Sequence, residues 1–289
     1  MDEIQATESA GASQASPRYD SPPVIRRVAV LFGEMTGENF EASRAAWKSQ
    51  VQPDFPFEDP LVQWRLNMEE EDGVPRLDKI QPELKITDRF YRKREDKGKE
   101  NQAKPDFDFS MRCPLGRLEL HMGSWPGSQR SFSNLRGECE RWFGAWSKTF
   151  RLEQPTKVLL HYVNLLRKDV TPELFDENGA LALGETLSVF AGVPGEHAHL
   201  EPPFDCKVGL RLNGVKDGKM RIHVVDASAE TGNSAVAIRV HLFAEAGLEP
   251  GEGVDKALTL LDWCHERIVE RFELIFTAKA KQSFQPVPR

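Results

Sequence analysis

The stretch Arg117-Leu118-Glu119-Leu120-His121-Met122 alternates apolar and polar side chains, and soon afterwards Leu135, Cys139, Trp142, Phe143 and Trp146 recur every three or four positions. Period two puts Leu118, Leu120 and Met122 on one face of a strand, while the longer spacing gathers the second set along one stripe of a helix opened by Ser131 or Ser133. Neither surface can stay in water. The economical solution is the helix laid on the sheet, which sets the fold class as α+β, antiparallel sheet packed against long helices.

The same grammar extends in both directions. Upstream, Val24 to Phe32 reads as a first strand entered through Pro22-Pro23, and Phe40, Arg44, Trp47 and Val51 fall at helical spacing behind Asn39 as N-cap. Leu61 to Asn67, Leu84 to Arg92 and Phe107 to Arg112 are further strands, with Glu69 to Asp72 and Gly73 as an acidic turn. Downstream come a strand over Val158 to Leu166, a short helix near Thr171 to Phe175, and a hairpin of Lys207 to Leu212 with Met220 to Val225. Asn213-Gly214 and Asp217-Gly218 supply that hairpin's turn residues. Val236, Ile238, Val240 and Leu242 form a last strand, and Val254, Leu258, Leu261, Ile268, Phe272 and Ile275 mark a closing helix that runs to about Ala278.

Strand, helix, strands, helix thus occurs twice, which suggests two similar sheet-and-helix halves, 19–150 and 151–289, behind a solvated tail over 1–18 that is too poor in large apolar side chains to order. No residue-level repeat accompanies that order. The 289 residues carry a net charge of −7, which disfavours nucleic acid and anionic lipid for the molecule as a whole and leaves such contacts to local patches. The absence of a long apolar run or signal-like start points to the cytoplasm and away from membranes. Cys113, Cys139, Cys206 and Cys264 are widely spread, as expected of reduced thiols.

Tyr19-x-x-Pro22-Pro23-Val24, the strand Leu160-His161-Tyr162-Val163-Asn164, and His265, Phe272-Glu273 and Thr277 near the end together resemble an uncharacterised, sporadically distributed bacterial family of similar length. This sequence departs from the pattern at Arg26 or Arg27, where an acidic residue is usual, and at His161, where an arginine is usual. The resemblance implies a shared fold over 19–279 and, through its scattered distribution, an accessory role linked to antiviral defence.

Few residues are equipped for chemistry. His197, His199 and Cys206 are ligand types for zinc but lack a fourth partner and regular spacing, so no metal is expected. Cys264 and His265 are adjacent on a helix, about 100° apart, and cannot act as nucleophile and base for each other. Gly33 to Gly37 reads as a turn, with Thr36 where a nucleophile elbow would carry serine, and no phosphate-cradling glycine loop exists, so no cofactor is expected. His265 lies on the apolar stripe with Tyr162 or Asn164 as natural partners across the interface, and these three with Glu273 are the candidate functional set.

Arg89, Arg92, Lys93 and Arg94, continued by Lys97, Lys99 and Lys104 and interrupted by acidic residues, are the candidate nucleic-acid contact. The leading expectation is a non-catalytic protein that binds another protein. An enzyme built around His265 and a nucleic-acid binder using residues 89–104 are the alternatives.

Overall fold

The fold is that of a computed structural model, which describes residues 24–71, 74–93, 107–123, 131–152, 154–168, 171–175, 181–188, 205–226 and 237–284. Nine strands form one sheet: β1 (Val24–Gly33), β2 (Phe57–Glu71), β3 (Val74–Lys93), β4 (Phe107–Arg112), β5 (Arg117–Gly123), β6 (Pro155–Arg167), β7 (Asp205–Arg211), β8 (Lys219–Asp226) and β9 (Ala237–Gly247). Their order is β2-β3-β4-β5-β1-β6-β9-β8-β7, and every pair is antiparallel. With the helices this is an α+β protein. β1 and β6 lie side by side at the centre, and each is followed in the chain by strands that meander inward from opposite edges.

Helices α1 (Gly37–Val51), α2 (Phe132–Thr149) and α4 (Val254–Ile275) are joined by two short ones, α3 (Leu183–Thr186) and α5 (Ala278–Ser283). α2 packs on β1 and β5, α4 packs on β6 and β9, and the two helices touch each other. The stripe Leu135, Cys139, Trp142, Phe143 and Trp146 is wholly buried, facing Leu118, Leu120 and Met122 of β5. Trp47 of α1 meets Trp142 edge-on at 5.9 Å, and Phe55 meets it at 5.6 Å, so α1 is held to the layer by aromatic contacts. The closing stripe of α4 is buried as well, at Leu258, Leu261, Ile268, Phe272 and Ile275. Among the described residues no helix is long and apolar enough to cross a membrane.

Local chemistry moves several boundaries. Thr36, not Asn39, caps α1: its hydroxyl accepts from the Asn39 backbone N–H at 3.2 Å. Ser131 caps α2 in a box with Asn134, whose side chain accepts from the Ser131 N–H at 2.8 Å. Glu69 to Glu71 do not form a turn. They extend β2, opposite Arg76, Pro75 and Val74 of a β3 far longer than alternation revealed. Pro75 and Pro82 are tolerated because β4 pairs only with Arg89 to Lys93, leaving the earlier part of β3 without a β4 neighbour.

The segment after Thr171 is a single 3₁₀ turn, Pro172–Leu174. Helix α4 stops at Ile275, short of the expected Ala278, because Thr277 caps α5 by accepting from the Ala280 N–H. In the β7–β8 hairpin, Gly218 is obligatory: a Cβ there would lie 2.6 Å from the Leu212 carbonyl oxygen. The expected tail over 1–18, Tyr19 to Pro23 and Arg94 to Lys104 lie outside the described residues.

Candidate functional site

Two places bring chemically able side chains together, one on each face of the sheet. On the helix side, β6 alternation puts Tyr162 and Asn164 on the face toward α4, and the α4 stripe returns His265 to meet Tyr162. The Tyr162 hydroxyl and His265 Nδ1 are 2.9 Å apart, Phe132 at the start of α2 stacks on the imidazole at 3.9 Å, and the Arg27 guanidinium sits 5.1 Å from the tyrosine ring centre. Burial, reinforced by Arg27, pushes the His265 pKa down to about 4. Burial raises the Tyr162 phenol to about 12 against an opposing effect of Arg27.

Two of the four candidate residues therefore meet. Asn164, fully buried, instead donates from Nδ2 to the Val240 carbonyl at 3.0 Å, where it helps tie β6 to β9. Glu273 lies on another side of α4 and pairs with Lys281 of α5 at 3.2 Å. The neighbouring Cys264 is buried with its thiol pushed up to about 12, so it is a packed side chain.

Arg89 and Arg92 do not share one surface. Arg92 faces the helices, where it forks onto Glu138 at 2.8 and 3.3 Å, donates to the Asp54 carbonyl at 2.9 Å and covers the Phe55 ring at 4.4 Å. Arg89 faces the other way and pairs with Asp59. The Lys93 side chain and Arg94 fall outside the described set.

The face of the sheet opposite the helices carries candidate residues that local sequence patterning does not reveal, because each strand displays only its own apolar side. Register aligns its residues in transverse lines. One line runs Arg89, Arg112, Glu119, Val30, Leu159, Glu245, Lys219, Arg211 from β3 to β7. The next runs Tyr91, Ser110, His121, Val28, His161, Phe243, Arg221. A third carries Arg26, Val163, His241, His223 and Lys207, while Arg117, Phe32 and Lys157 lie beside the first. Val28, Val30 and Val163 are buried yet stand outside the helix-side core, flooring this face between longer neighbours.

Cations dominate the face. Glu119 lies near Arg117, Arg112 and His121, and Glu245 near Lys157, Lys219 and Arg221, so these two carboxylates are each shared by three basic groups, while Asp59 pairs with Arg89 and Asp205 with Lys207. No carboxylate among the described residues pairs with Arg26. Arg26 reaches water, yet the protein around its guanidinium and then Arg239 lower its pKa. Arg112 is lowered by burial, partly offset by Glu119 and deepened by Arg89, Arg26 and Arg117.

Histidines continue the pattern. His161 Nε2 and His241 Nδ1 are 2.9 Å apart, His161 stacks on Phe243 at 3.9 Å, and His223 stacks on His241 at 5.4 Å. Burial and the neighbouring His241, His121, Arg26 and Arg221 push the His161 pKa down to about 2. Among the described residues no group of three His, Cys, Asp or Glu side chains is placed to hold a metal ion. Cys206 is half-buried on β7, whereas His197 and His199 lie outside the described residues. Comparison of the chain with protein-family models, with curated proteins and with solved structures finds no match.

Proposed function

We propose that this is a non-catalytic binding protein whose docking surface is the face of the sheet opposite the described helices and whose partner is an anionic macromolecule. The observation that carries the reading is charge segregation: a chain with net charge −7 gathers Arg26, Arg89, Arg112, Arg221, Arg239 and Lys219 on one face, where basic groups outnumber carboxylates. Such a face attracts anions although the molecule as a whole repels them. The Tyr162–His265 pair, by contrast, reads as a packed polar contact between α4 and the sheet, with Phe132 closing over it.

The strand order also supports regarding the chain as two sheet-and-helix halves joined along β1 and β6. Tyr162, Asn164 and His265, which carry the likeness to the sporadic bacterial family, then belong to the seam that holds sheet and helices together.

Heparin chromatography at pH 7.5 tests the central claim, because a protein of pI near 5.6 with evenly mixed charge should flow through. Retention lost in an Arg26→Gln, Lys219→Gln, Arg221→Gln triple variant is the expected outcome. Flow-through of the wild-type chain would dispose of the proposal.

A further inference from the structure

Resting on that reading, we infer that the anion docked on this face is nucleic acid, held through its sugar-phosphate backbone with little regard for base sequence. The basic groups are spread across the sheet. From Arg89 on β3 to Arg211 on β7 there are seven strand gaps. At about 4.8 Å each they span roughly 34 Å. That is about ten base pairs at a rise of ~3.4 Å, far beyond the reach of a small anion.

The arrangement across that distance favours phosphate. Arginine and lysine recur on both flanks of the central valine floor, as a polymer of evenly spaced charges requires, and arginine forks match phosphate oxygens. The carboxylates Glu119 and Glu245 are already engaged by cations of the same face and leave a positive excess.

Geometry also says how bases are treated. Phe243 is sandwiched, with His161 stacked on it at 3.9 Å and Arg221 5.1 Å from its ring centre. Neither side of that ring is free to take a base. Tyr91 likewise stacks on Phe57 at 5.5 Å with Arg89 5.7 Å from its ring centre, and Lys157 lies 4.6 Å from the centre of the Phe32 ring. These rings of the face already have partners, so its basic groups carry the contact chemistry, which favours phosphate over the base stacking of single-strand binders. Binding of this kind is salt-steep and tolerant of sequence.

The test is fluorescence anisotropy of the full chain with labelled 20-mer duplex DNA, single-stranded DNA and RNA over 50–300 mM KCl, with polyglutamate and heparin as rival anions. Expected is binding to at least one nucleic acid, with two unrelated sequences of that type agreeing within about threefold. The triple variant Arg26→Gln, Lys219→Gln, Arg221→Gln should bind about tenfold more weakly or worse, and its log-log salt slope should be shallower by about 2 to 3. Lys48→Gln with Lys256→Gln, on the exposed helix side, should leave affinity unchanged, and circular dichroism would verify that both variants are folded.

Failure of every nucleic acid to bind at 50 mM KCl, or a folded triple variant that binds as well as wild type, overturns the inference. Binding of polyglutamate or heparin alone, lost in the triple variant, would sink nucleic acid while keeping the anion-docking face. Silence with every anion would sink both.

Discussion

Acid should unfold this protein through its histidines. His161 and His265 are neutral in the native state at pH 5, since burial holds them at about 2 and about 4. In the unfolded chain both revert to about 6.5 and take up protons as the pH falls below that value. The stability tied to their neutrality is therefore fully present above pH 6.5 and is lost between 6.5 and the native values. At pH 5 each contributes a loss of about 2 kcal/mol, roughly 4 kcal/mol together, against a typical total of about 5–15. The depressed pKa of His121 acts in the same direction.

Urea denaturation followed by tryptophan fluorescence at pH 7.0 and 5.0 measures the loss. His265→Gln and His161→Gln should each remove about 2 kcal/mol of the pH-dependent loss, because glutamine keeps polar contacts but binds no proton. Arg27 and Tyr162 face His265, while His241, His121, Arg26 and Arg221 surround His161, so among the described residues neither imidazolium has a carboxylate of its own to stabilise it. A wild-type loss below about 1 kcal/mol over this interval, or a His265→Gln variant with the whole loss intact, would refute the reasoning.

Other perturbations separate the two faces. Tyr162→Phe removes the hydroxyl that meets His265 and should cost about 1–3 kcal/mol in urea, with no change in affinity for any anion. Arg92→Lys cannot fork onto Glu138 and should lower stability by about 1–2 kcal/mol, again sparing anion binding, which would show that this part of the basic segment serves the core. Thiol labelling of the native protein read by mass spectrometry should modify Cys206 first, since Cys113, Cys139 and Cys264 are buried and their thiols are raised. Gly218→Ala should lower the thermal midpoint, because its Cβ would meet the Leu212 carbonyl.

What was legible in the sequence is what a single element can display. Leu118, Leu120 and Met122 announced a strand, Trp142 and Trp146 a helix face, and Asn213-Gly214 a hairpin, because each signal is local. The His265 to Tyr162 contact was also within reach, since both lie on stripes that must meet. The cationic face was not. Arg112, His121, His161, Arg221 and His241 occupy five different strands, and each looks like the ordinary polar side of an amphipathic segment until register lines them up. The length of β3 was hidden for another reason: Pro75 and Pro82 are interrupting residues in an interior strand but are tolerated in the part of β3 that β4 does not reach.

The placement of β1 and β6 has a consequence for dissection. Each is the other's inner neighbour, so severing the polypeptide between Leu152 and Gln154 and parting the fragments would bare two long rows of unsatisfied peptide groups in the middle of what had been a seamless layer. An antiparallel row of this kind can zip onto a twin of itself. Separate fragments should accordingly be recovered as self-paired dimers or precipitate, whereas fragments produced together should find one another and restore the parent.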